Sequence, residues 1–261
     1  MLGKLLKHEM KATARLLLPI FLVLAALTIL DRIVISLNIF KGVLAIIPGF
    51  ISFFYVISLV AIVVVTAVII IYRFYKNLMT DEGYLMFTLP AKPHELINAK
   101  LIASIIWTIA SFVAVLVSLY VIFYNSELAP VMRDMFRLVI DSIRMQFGSK
   151  MSLFVLEMIL LFILTILNNI LSIYVSVAIG QLFNGHKLLG SFAAYIGINT
   201  VIQILTTIFA ILSNLIFKNS VAELDFMIKV IFPFVIVLTL VLNIAYYWGT
   251  NFIFKKKLNL D

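Results

Sequence analysis

The residues able to carry acid–base or metal chemistry in this 261-residue chain are few and scattered. There are three histidines, His8, His94 and His186, and no cysteine. Without a thiol the chain has no disulfide, no thiolate metal site and no cysteine nucleophile. The histidines are too far apart for the paired metal ligands of an HExxH helix. No Ser–Gly nucleophile elbow, no pair of membrane aspartates and no GxxxxGK[ST] phosphate loop occurs. The expectation is therefore that the chain is not an enzyme, holds no metal and does not itself bind ATP in the P-loop manner.

Polar chemistry inside the long apolar stretches is equally sparse. Only Asp31, Arg32 and Glu157 are charged well within them. All three fall near stretch ends, where side chains reach the polar interface by snorkelling. Asn168, Asn169, Asn199, Gln203 and Asn243 lie deeper and are suited either to hydrogen bonding between helices or to lining a path. Asn199 and Gln203, four residues apart, share one helical face and are the candidate path-lining pair.

What must position these groups is a membrane bundle. The chain is 64% hydrophobic and 12% charged with mean hydropathy +1.18, against about half apolar and a quarter charged in soluble domains. Six stretches reach the ~20 apolar residues a bilayer crossing needs: 16–37, 43–71, 101–123, 151–179, 188–217 and 228–254. With the N-terminus inside, the inner segments hold twelve basic residues: Lys4, Lys7, Lys11, Arg15, Arg73, Lys76, Lys92, Lys100, Lys187 and Lys255 to Lys257. The outer ones hold eight, Arg32, Lys41, Arg133, Arg137, Arg144, Lys150, Lys218 and Lys229. That excess predicts a cell-membrane protein with both termini cytoplasmic. Orientation accounts for the net charge of +8, and no basic face interleaved with stacking aromatics points to nucleic acid.

Two amphipathic segments flank the spans. Residues 1–15 carry a stripe of Lys4, Lys7, Lys11 and Arg15 and are expected to lie as an interfacial helix on membrane lipid. Residues 125–150 form the second, placed on the outer surface between spans 3 and 4. There Arg133, Arg137, Asp141 and Arg144 oppose Met132, Met135, Phe136, Val139, Ile143 and Phe147.

The polar interruption at 72–100 is the most informative stretch. Helix 2 has no breaker from Ile51 to Leu78 and, at ~40 Å, outruns the ~30 Å hydrocarbon layer. Thr80 or Asp81 then caps a short helix that presents Tyr84, Leu85, Met86 and Phe87. Pro90 and Pro93 stop that helix, and Pro93 starts the next. Aromatic and Met side chains in a polar rim mark a docking surface.

The stretch "FYKNLMTDEGYLMFTLPAKPHELINAKLI" resembles the first cytoplasmic loop of type-2 ABC-exporter permeases of Gram-positive bacteria. The overall layout, with a basic N-terminal helix, six spans and a Lys-rich end "FKKKLNLD", is similar too. The resemblance implies an all-α permease domain over 1–261 whose coupling helix between spans 2 and 3 docks on a separate ATP-binding subunit. Asp81, Glu82, Gly83, Tyr84, Leu85, Met86 and Phe87 would be the contact set. ATP and Mg²⁺ would sit on two copies of that subunit, and a second permease copy would complete the pathway. The implied cargo is amphipathic or lipophilic, with antimicrobial or toxic peptides such as phenol-soluble modulins the narrower expectation. The alternatives are a non-transporting scaffold or sensor that recruits an ATPase, and an ion-coupled secondary transporter.

Overall fold

The computed structural model describes residues 2–37, 46–79, 92–124, 128–183, 185–217 and 227–256. These residues are almost entirely helical: α1 (Leu2–Leu37), α2 (Ile46–Met79), α3 (Pro93–Phe123), α4 (Leu128–Phe147), α5 (Met151–Gly180), α6 (Lys187–Phe217) and α7 (Phe232–Lys256). A 3₁₀ turn (Gly148–Lys150) precedes α5 and a π-helical turn (Met227–Ile231) precedes α7. Six of the helices are long and apolar enough to cross a membrane. Helix is the form that satisfies every backbone group within one segment where lipid offers no partners. Serine and threonine follow the same rule: the hydroxyls of Thr28, Thr66, Ser111, Ser176 and Thr250 stand within hydrogen-bond distance of the carbonyl four residues back.

Local sequence explains the ends. Lys92 precedes Pro93 as N-cap, and its N–H donates to Glu95 Oε2 at 3.1 Å, half of a capping box with proline at the first helical position. The π turn stands immediately before Phe232 and Pro233. Proline lacks an N–H and crowds the carbonyl four residues back, and a wider turn relieves that crowding.

The chain divides into two compact units. The first comprises residues 1–73 and 98–138, the second 74–97 and 139–261, so α2, α3 and α4 each run from one into the other.

In the first unit α1, α2 and α3 run up, down and up, as the pairings require. Asp31 meets Ser52 and Glu9 meets Arg73, an antiparallel register. Thr28 meets Ser118 and Glu9 meets Lys100, a parallel one. Leu24, Tyr55 and Ile62 form the core with Ile20, Phe21, Leu59, Ala114, Val115 and Ile122 around them. Between the levels of Glu9 and Asp31, about 33 Å along α1 at 1.5 Å per residue, the inner contacts are apolar or hydroxyl–hydroxyl. Thr66 pairs with Ser111 at 2.7 Å, and Ser118 links Thr28 and Tyr55 at 2.7 and 2.9 Å.

In the second unit α5 packs against α6 and α7. Glu157, Leu164, Leu171 and Ala178 are buried at seven-residue intervals, the seam of a parallel or antiparallel coiled pair. Asn168 reaches Asn243, and a Cβ built on Gly249 would lie 3.4 Å from Val175 Cγ2, so α5 and α7 run parallel. At the turn into α6, Gly180 is indispensable: a Cβ there would stand 1.9 Å from Ser191 Oγ and 2.5 Å from its backbone nitrogen.

One boundary differs from the expectation. Residues 2–15 continue into the first span as one helix, since nothing between Arg15 and Leu16 breaks it. The overrun of α2 through 72–79 and the start of α3 at Pro93 are as expected.

Candidate functional site

The proposed docking set, Asp81, Glu82, Gly83, Tyr84, Leu85, Met86 and Phe87, lies outside the described residues. Its two flanks are described, and a single carboxylate ties them together. Glu9 Oε2 accepts from Arg73 Nη2 near the end of α2 at 2.7 Å, and Glu9 Oε1 accepts from Lys100 Nζ near the start of α3, also at 2.7 Å. Glu9 and Lys100 are buried and Arg73 nearly so.

Glu9 precedes the apolar stretch that begins at Leu16. Burial works against its charged form, but the ion pairs and hydrogen bonds from Lys100 and Arg73 outweigh that, holding the carboxyl below the ordinary carboxylate range. The sequence reading followed the basic stripe of α1 and passed over Glu9. An acid in the middle of the opposite, apolar face of Leu2, Leu5, Leu6 and Met10 was the available signal, because such a group is buried only with a partner.

The next residue of α2 is held just as firmly within the second unit. Phe74 stacks on Tyr174 of α5 with ring centroids 3.7 Å apart and meets Phe254 of α7 edge-on at 6.0 Å. Tyr174 is fully buried.

The polar residues of the spans divide into two outcomes. Asn168 and Asn243 bond across α5 and α7 at 3.2 Å, and the Asn243 amide also donates to Leu164 O at 3.1 Å. Asn199 and Gln203 are exposed on α6. The Asn199 amide donates to Tyr195 O of its own helix at 2.8 Å, and no described side chain of another helix joins the pair. A turn further on, Thr206, Thr207, Ala210 and Ile211 line a shallow groove on the same helix.

The charged residues correct the snorkelling expectation. Asp31 is 2% exposed and accepts from the Ser52 hydroxyl at 2.7 Å. Arg32 turns instead to the end of α3, donating to Ile122 O and Tyr124 O, carbonyls that no later helical turn would satisfy. Glu157 is 6% exposed with Oε2 unpartnered. Its place on the seven-residue seam of α5 turns it inward, and that outweighs its nearness to the helix end.

Among the described residues no group of three or more His, Asp or Glu stands close enough to hold a metal ion. The arrangement offers ion-paired anchoring at one end of a helical bundle and hydrogen-bonded locks within it. No family model, characterised protein or solved structure matches the chain, so a functional reading rests on this geometry and on the sequence.

Proposed function

We propose that the chain is the membrane-spanning permease subunit of an ATP-driven exporter, with an amphipathic peptide as its cargo. The observation that supports this reading best is the pair of helix overruns held by Glu9. Past the second apolar stretch α2 continues to Met79, and α3 begins at Pro93, ahead of its own apolar stretch. Arg73 and Lys100 bind one carboxylate of α1. In sequence, the acidic and aromatic residues 81–87 lie between the two helices whose Arg73 and Lys100 share the Glu9 carboxylate, a linkage suited to force transfer from a docked ATPase to the spans.

In this reading the chain itself hydrolyses nothing. ATP and Mg²⁺ reside on two partner subunits, whose closure biases the helices between two arrangements. A second permease copy related by a twofold axis completes the pathway. Both termini face the cytoplasm with the partner subunits.

The test is affinity purification of the tagged chain from its native membranes. Wild type is expected to bring down an ATP-binding subunit, and Leu85→Asp, which puts a charge into an apolar contact, is expected to lose it while still inserting. Undiminished recovery by the variant would refute docking through this segment.

A further inference from the structure

The amphipathic helix α4 has an occupant of its own to account for. Arg133, Arg137, Arg144, Asp134 and Asp141 fall within roughly 100° of its circumference at ~100° per residue. Met132, Met135, Phe136, Val139, Ile143 and Phe147 lie on the wide remaining arc, interrupted by Ser142 and Gln146. Much of the arc is bare, with Phe136 67% and Met145 87% exposed, while Met132, Ile143 and Phe147 are half-buried. An arc this wide is about twice the ~100° stripe that a helix buries against one neighbouring element. That width suits a continuous apolar medium better than a single partner helix.

The junction with α5 places the end of α4 next to a helix apolar enough to cross a bilayer. Gly148 adopts φ +51°, a left-handed conformation favoured by glycine, and the 3₁₀ turn 148–150 leads directly into α5. Phe147, at the end of the apolar arc, stacks on Phe154 with ring centroids 4.2 Å apart and planes 12° from parallel. Phe154 lies about one turn into α5, a helix apolar enough to cross a bilayer. The stack joins the edge of the apolar arc to the start of that helix, so α4 ends where an apolar layer begins. The charged arc lies opposite the apolar one. Its arginines lie together along one edge and the aspartates along the other, an arrangement suited to guanidinium contacts with lipid phosphates.

We propose that α4 is an in-plane membrane helix, with its apolar arc sunk in the lipid surface from which α5 starts and Arg133, Arg137 and Arg144 on the phosphates of anionic headgroups. This holds whether or not the chain is an exporter.

The native chain has no cysteine, so single spin labels report without background. Labels at Phe136, Val139 and Ile143 and at Arg133, Arg137 and Arg144 would be compared in the full chain, reconstituted in vesicles of phosphatidylcholine and phosphatidylglycerol in equal parts. A label at the exposed Phe162 of α5 supplies the hydrocarbon reference. The proposal expects collisions with dissolved oxygen to exceed those with a water-soluble nickel complex several-fold at the three apolar sites, and the reverse at the three arginine sites. Nickel access at all six sites would place the helix in water and overturn it. Exclusion of both relaxants from the apolar sites would show that protein, a second copy included, covers that face, and would equally overturn it.

Discussion

Lys100 Nζ lies 2.7 Å from Glu9 Oε1 although 91 residues separate them, and both side chains are buried. With Arg73 on the other oxygen, one carboxylate joins three helices. Removing the shared anion of a buried pair costs far more than the pair contributes relative to apolar residues, typically about 3–5 kcal/mol. Glu9→Ala is expected to lower the melting temperature of the purified protein markedly and Glu9→Gln less, since the amide keeps an acceptor oxygen. Equal stability of all three proteins would show that the bonds carry no weight.

The same carboxylate gives a pH dependence of definite sign. Folding holds its titration below the ordinary carboxylate value, which is about 4.3 for glutamate. Its contribution is therefore complete above that ordinary value and is lost as pH falls through the lower, folded one. Wild type is expected to lose stability on acidification across that interval more steeply than Glu9→Gln, as read from melting temperature against pH. Parallel curves would contradict the assignment.

A steric test separates two glycines of the second unit. Gly180→Ala puts a methyl group against the Ser191 backbone nitrogen at 2.5 Å and Lys187 O at 2.7 Å, which cannot yield without moving α6. Overpacking of this kind costs about 1–3 kcal/mol or more. Gly249→Ala meets only Val175 Cγ2 at 3.4 Å and is expected to be tolerated. Thermal unfolding of both variants checks the contrast.

Much of this architecture is legible in the residues because a bilayer imposes a coarse rule. Uncharged runs of more than twenty residues have to be helical spans, and Pro93 beside an acid three residues past Lys92 marks a helix start. The overrun of α2 follows from the lack of a breaker before Leu78. What was not legible depends on three-dimensional pairing. The partners of Glu9 lie 64 and 91 residues away, beyond any local pattern. Asp31 and Glu157 sit near span ends, where one-dimensional position suggests an outward reach. Their helical faces decide otherwise: Asp31 shares that of Glu9, Leu24 and Thr28, and Glu157 the seam of Leu164 and Leu171. The Asn168–Asn243 lock was foreseeable in kind but not in partner.

Topology is open to direct labelling. Single cysteines at Lys41, Ser149 and Asn219 are expected to react with an impermeant thiol reagent in intact cells. Those at Asn77, Gly185 and Asn259 are expected to react only after permeabilisation. Reaction at position 185 in intact cells would break the six-span arrangement between α5 and α6.

The exporter reading is tested most directly by cargo-stimulated ATP hydrolysis. The permease would be reconstituted with the ATP-binding subunit it recovers, and hydrolysis measured over a panel of amphipathic peptides, lipids and drugs. Asn199→Leu with Gln203→Leu removes two exposed amides of α6 without touching Glu9, Arg73 or Lys100, so assembly should persist. The account predicts that amphipathic peptides stimulate the wild-type complex and that the double variant responds differently to them. A wild-type rate indifferent to every member of the panel would contradict export and leave the chain a membrane anchor for its ATPase.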